Sequence, residues 1–200
     1  MASSTEICNL ALSHLGNTKR IANLDTEQSQ EASLFRVFYE TTRDLVLNEY
    51  EWPFATKMAA LALIEEEPND EWTYSYRYPS DCLKFMRILS GNRADTNSSR
   101  VPYKISHDAS GKIVYSDYEE AECEYIASIT DTSYFSPDFI MALSFRLAAY
   151  AAPSLTGGDP FKLGERAMKM YQLELSKAAA NAFNEEQPDI VESELIKARD

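Results

Sequence analysis

Trp52-Pro53-Phe54-Ala55 divides two kinds of sequence. Upstream, Ala32, Phe35, Tyr39, Thr42, Leu45 or Val46, and Glu49 or Tyr50 recur at helical spacing, which predicts one long amphipathic helix. The run Asp25 to Ser29 offers several residues able to cap its start. Pro53 disfavours helical geometry at Trp52, so the helix ends there and the chain turns away. Downstream the helical period is lost, and alternation with turn residues takes its place up to about Thr130.

The middle therefore reads as a small antiparallel sheet. Leu61 to Ile64 leads into an acidic loop, Glu65 to Glu71, and Trp72 to Tyr78 alternates ring and polar residues as a half-buried strand does. Leu83 to Leu89 is the next candidate strand, bounded by Ser90-Gly91-Asn92, with a polar loop tip at Asp95 to Arg100. Tyr103 to Ser106 and Lys112 to Tyr115 flank Asp108-Ala109-Ser110-Gly111, a hairpin turn with glycine at the left-handed position. Glu122 to Ile129 alternates most cleanly of all.

Helical signals stand on either side of this region. Ser3 or Ser4 caps a short first helix whose apolar face is Ile7, Leu10, Ala11 and Leu15, ended by Gly16-Asn17. Ser136 and Pro137 open a third helix lined by Phe139, Leu143, Leu147 and Tyr150 or Ala151. Its Ala-rich run at 147–152 allows a second helix to approach closely, and Pro153 with Gly157-Gly158 ends it. Asp159-Pro160 starts a fourth helix, Phe161 to about Phe183, with Ala167, Met170 or Tyr171, Leu175 and Ala178 inside. The reading is an α+β protein, mainly helical: a four-helix bundle made by the N- and C-terminal helical pairs, with an inserted antiparallel β-sheet. The divisions are 1–58 and 133–184 for the two helical halves, 59–132 for the β subdomain and 185–200 for a C-terminal tail.

At 200 residues the chain is long enough for a substantial core, and with 44% hydrophobic and 12% aromatic residues it is globular. A formal charge of −13, from 32 acidic and 19 basic residues, opposes tight binding of a polyanion. An acidic wall does suit a channel through which DNA slides. Cys8, Cys82 and Cys123 are far apart in apolar surroundings, as buried reduced thiols are in a reducing cytoplasm. The N-terminus lacks a basic start and apolar run, and no apolar stretch approaches the ~18 residues that span a bilayer, so no membrane association is expected.

Catalytic patterns are sparse. His14 and His107 have no second imidazole or Cys at ligand spacing, so no metal site is expected, and His14 reads as a border of the first helix. There is no Gly-x-Ser-x-Gly elbow, and Gly157-Gly158-Asp159-Pro160 lacks the spacing and the lysine of a phosphate loop. The enzymatic alternative is a cell-wall glycosidase using two of Glu65, Glu67, Asp70 and Asp81 beside the Tyr-rich strands. Its competing explanation is a solvated acidic loop. Trp52 and Phe54 read as anchors that pin the second helix to the base of the sheet.

Two short blocks, Trp52-Pro53-Phe54-Ala55 and Tyr76-Arg77-Tyr78-Pro79-Ser80-Asp81-Cys82-Leu83, carry a resemblance. With Ile7 to Gly16 and the helix through Glu31-Ala32 to Arg43-Asp44, they resemble the head-to-tail adaptor (connector) proteins of tailed bacteriophages, the tail tubular protein A-like family. The resemblance extends from about residue 5 to 175 and includes Tyr78 and Pro79 as anchors. It implies a structural virion protein, not an enzyme and without cofactor, made in the host cytoplasm and placed at the head–tail junction. Its partners would be further copies of itself in a dodecameric ring, the portal protein, and the tail nozzle or next tail component. DNA would pass through the channel without specific binding. Within that family the C-terminal segment engages the portal, which makes Ile190, Val191, Leu195 and Ile196 the portal-contact candidates. A non-phage acidic interaction module is the other non-enzymatic alternative.

Overall fold

The computed structural model describes residues 2–64, 68, 70–91, 99–157 and 159–185. Among these residues four α-helices, two before and two after, flank seven strands in the sequence: α1 (Ser4–His14), α2 (Gln30–Glu49), β1 (Thr56–Ala60), β2 (Leu63–Ile64), β3 (Tyr74–Arg77), β4 (Cys82–Ile88), β5 (Lys104–Asp108), β6 (Gly111–Ser116), β7 (Glu122–Ala127), α3 (Pro137–Leu155) and α4 (Pro160–Glu185). The class is α+β.

Local chemistry accounts for the helix starts. Ser3 forms a capping box with Glu6, Ser29 accepts from the Ala32 amide, and Ser136 accepts from the Phe139 amide ahead of Pro137 in the first turn. Each cap satisfies an amide that has no partner inside its helix. Pro153 does not stop α3, which continues to Leu155. A proline this near the C-terminus costs little more than the bond to the carbonyl of Ala149, and Thr156 closes the helix by donating its amide and hydroxyl to Ala152.

α3 is the centre of the helical layer, because α1, α2 and α4 all pack on it. That explains why its buried set, Phe139, Ala142, Leu143, Ser144, Leu147, Ala148, Ala151 and Ala152, is wider than a single stripe. Against α4 the approach is close: a Cβ on Gly164 would stand 3.3 Å from the Ala149 carbonyl oxygen and 3.5 Å from Ala152 Cβ. On α2 the ambiguous positions resolve to buried Val46, with Leu45 39% exposed.

The single sheet expected from the sequence is two sheets. β1-β7-β4 form one and β2-β3-β6-β5 the other, all pairs antiparallel. β1, which the sequence reading placed largely in the helical half, begins at Thr56, so the expected boundary at 59 falls inside a strand. The chain changes sheets within two residues, at Leu61-Ala62, where the Leu61 amide bonds Ala121 and the Ala62 carbonyl accepts from Arg77. The β5–β6 hairpin turns at Ala109-Ser110, with Asp108 opposite Gly111 and Gly111 at φ +130, a positive value that a side chain would strain.

β7 shows how the layers stack. Ile126 belongs to the helical core, whereas Cys123, Tyr125 and Ala127 belong to a second core with Tyr76, Phe85 and Val114. Successive side chains of a strand point to opposite faces, so the three-stranded sheet lies between the helices and the four-stranded sheet. β4 repeats the pattern, with Leu83 and Met86 toward the helices and Phe85 and Ile88 toward the second sheet, its register shifted twice by bulges.

Candidate interaction surfaces

The turn after α2 is an aromatic joint. Trp52 is 2% exposed, donates from Nε1 to the Val46 carbonyl at 2.9 Å, and meets Tyr50 and Phe139 edge-on at 5.1 and 5.0 Å. Phe54 packs on Phe135 and Phe139 at 5.8 and 5.2 Å, and these two touch each other at 4.6 Å. The Trp52 carbonyl accepts from Ala55 and Thr56 and so aims the chain into β1. Trp52 thus fixes the end of α2 to the start of α3 as well as to the first strand. Burial of such a ring contributes about 2 to 3 kcal/mol.

A second fastening lies at Arg43 and Asp44. Arg43, 6% exposed, donates to Asp44 Oδ1 at 2.9 Å and to Ser128 Oγ at 3.4 Å, while Ser128 donates to Asp44 Oδ1 at 3.0 Å. This three-residue network ties α2 to the chain leaving β7. Its far partner, Ser128, lies 85 residues from Arg43 in the sequence.

Tyr78 and Pro79 stand where β3 gives way to β4. The Tyr78 ring lies 5.9 Å from Phe85 and under the Lys112 ammonium at 5.0 Å, and the Pro79 carbonyl accepts from the Cys82 amide. Two residues on, Asp81 pairs with Lys57 at 2.8 Å and accepts from the Tyr125 hydroxyl at 3.0 Å. Burial acts to raise the Asp81 carboxyl, but its hydrogen bonds from Lys57 and Tyr125 outweigh burial and hold it below the usual carboxylate range.

That environment is the reverse of what a general acid requires. Asp70, the other described member of the carboxylate set, is exposed in the turn before Trp72. Glu65 and Glu67 lie outside the described residues, as do Ile190, Val191, Leu195 and Ile196. α4 is described as far as Glu185, and near that end Asn181 donates to Asp138 at 3.0 Å beside a cleft floored by Trp52, Pro53 and Phe54. His14 ends α1, stacks on Phe145 at 3.8 Å, and meets the fully buried Ser144 at 3.0 Å. The Ser144 hydroxyl donates to the Met141 carbonyl, so its oxygen receives the proton of His14 Nε2.

An acidic groove of about 480 Å³ opens where the two sheets meet. Leu61, Leu63, Tyr74 and Tyr76 supply its apolar side, and Glu119, Glu120 and Glu122 its charge. Tyr76 braces the loop from below by donating to the Tyr118 carbonyl at 2.6 Å. Glu120 has φ +50, the one positive value at a residue other than glycine among those described. These glutamates meet Leu61 and Leu63, more than 50 residues upstream, only in the folded chain.

Among the described residues no group of three or more His, Cys, Asp or Glu side chains is arranged to hold a metal ion, and no helix is long and apolar enough to cross a membrane. The three cysteines are free; burial pushes Cys8 up to about 12 and Cys123 to about 11. The chain matches no protein-family model and no curated protein.

Proposed function

We propose that this protein is a head-to-tail adaptor subunit of a tailed bacteriophage, a structural virion component that docks as a ring under the portal. The ring extends the DNA channel and offers a platform to the nozzle or next tail component. No catalytic step is part of this function. Support comes first from the resemblance carried by the Trp52–Ala55 and Tyr76–Leu83 blocks.

The observation that carries the reading furthest is the aromatic joint of Trp52, Phe54, Phe135 and Phe139. The chain leaves the helices at Trp52 and returns to them at Phe135, so one compact cluster holds the inserted sheets on the helical layer. A ring subunit needs such a joint, because it must present different faces to its neighbours, the portal and the tail without bending between them. In this reading the four helices form one bundle, assembled on α3 from the N- and C-terminal pairs, and the segment from 185 onward reaches the portal. The −13 charge keeps passing DNA from adhering to the wall.

Native mass spectrometry of the chain alone, then mixed with the portal encoded beside it, tests the proposal. The expected result is a portal-dependent closed ring with one copy per portal subunit. A stable one-to-one complex with some other protein, or no association with the portal at any salt concentration, would overturn it.

A further inference from the structure

α4 departs from the acidic character of the chain. Lys162, Arg166, Lys169 and Lys177 fall within about 80° of its circumference at about 100° per residue. They lie opposite the buried Ala167, Tyr171 and Ala178. Leu173 sits in the middle of this basic arc, 54% exposed. Lys169 pairs with Glu165 and Lys177 with Glu174, but Lys162 and Arg166 have no ion pair among the described residues.

The groove between the sheets is the counterpart. Glu119, Glu120 and Glu122 are exposed there and have no ion pair among the described residues, and Leu63 is 56% exposed at its side. One face thus carries four cations on the side of an exposed leucine, with Lys162 and Arg166 on its N-terminal side left without an ion pair among the described residues, and the other carries unpaired anions beside an apolar centre. They belong to different layers of the same molecule.

We infer that the basic face of α4 of one copy docks in the Glu119–Glu122 groove of the next, with Leu173 against Leu63 and with Lys162 and Arg166 facing the glutamates. The occupant is a second copy because this chain carries both halves of the charge complement. Two unlike patches make a heterologous contact, which repeats around a ring when the rotation closes. The inference rests on the proposed ring and names the surfaces that build it. Single exposed ion pairs contribute little, so the apolar contact at Leu173 supplies affinity while the charge array sets orientation and salt dependence.

Zero-length carbodiimide cross-linking, which joins carboxylates to amines in contact, tests the contact on a mixture of unlabelled and isotopically labelled chains, with and without portal. Mixed-isotope peptides linking Glu119, Glu120 or Glu122 to Lys162 or Lys169 are expected. The double variant Lys162→Glu/Arg166→Glu should raise the concentration for half-assembly at least about tenfold, Glu119→Lys/Glu120→Lys should do the same, and all four changes in one chain should restore assembly. All of these side chains are exposed, so the variants should melt like the wild type. Rings that form normally in both double variants, with cross-links elsewhere, would overturn the docking faces and leave the ring proposal standing. A wild type that stays monomeric with and without portal would overturn both.

Discussion

Glu49, in the last turn of α2, accepts a hydrogen bond from the hydroxyl of Tyr171 on the buried face of α4, 122 residues away. Arg146 of α3 joins the pair, 3.2 Å from Glu49 and with its guanidinium 4.9 Å from the centre of the Tyr171 ring. Three helices therefore meet at one polar node. Burial, reinforced by the hydrogen bond to Glu49, raises the Tyr171 hydroxyl well above its ordinary value, which keeps it a donor at any physiological pH.

Tyr171→Phe should lower stability by about 1 to 2 kcal/mol, since Glu49 loses a donor while the ring remains packed. Tyr171→Ala should cost about 3 to 5 kcal/mol by adding a cavity. Urea unfolding of both variants measures the difference; an unchanged stability in Tyr171→Phe would show that the hydrogen bond contributes nothing, and equal losses in the two variants would show that the ring's packing adds nothing.

Trp52→Ala should weaken the monomer by about 3 to 5 kcal/mol, because the ring supports α2, α3 and the start of β1 together. A variant that melts normally yet fails to assemble would move Trp52 from the core to an interface.

Gly164→Leu should destabilise by about 1 to 3 kcal/mol or more, forcing α4 away from the Ala149 carbonyl that lies 3.3 Å from the new Cβ. Thermal melting by circular dichroism reads the effect. An unchanged melting temperature would mean that the two helices separate there at no cost.

Burial holds the His14 imidazole below its ordinary value. The unfolded chain then binds that proton more readily than the folded one, so this residue's contribution is fully present above about pH 6.5 and declines as the pH falls below it. Denaturation midpoints between pH 5 and 8 should show that slope in the wild type and a flatter one in His14→Gln. Parallel curves would assign the slope to other groups.

Cys8 should resist alkylation in the native state, because burial raises its thiol to about 12 and keeps it protonated. Mass spectrometry after brief iodoacetamide treatment should find Cys8 modified only when denaturant is present. Rapid native labelling would indicate that α1 opens.

Much of the helical layer was legible in the chain. The run Asp25 to Ser29, and Ser136 with Pro137, marked helix starts, and Phe35, Tyr39, Phe139 and Leu143 marked buried faces, because caps and the 3.6 period depend on residues only a few positions apart. The alternation at 122–127 likewise gave β7 without reference to anything distant. Alternation alone does not say which core each face of a strand meets. One sheet was expected and two exist, because the change of partner at Leu61-Ala62 depends on Ala121 and Arg77.

The polar contacts divide the same way. Capping is written locally, so the sequence narrowed the first cap to Ser3 or Ser4, and the capping box of Ser3 with Glu6 selects Ser3. Arg43 with Ser128, Glu49 with Tyr171, and the approach of Leu61 and Leu63 to Glu119 and Glu122 required the folded chain. In an extended chain nothing distinguishes these side chains from solvated ones. Their partners are selected when the layers close and each buried charge or hydroxyl must find an opposite group within hydrogen-bonding reach.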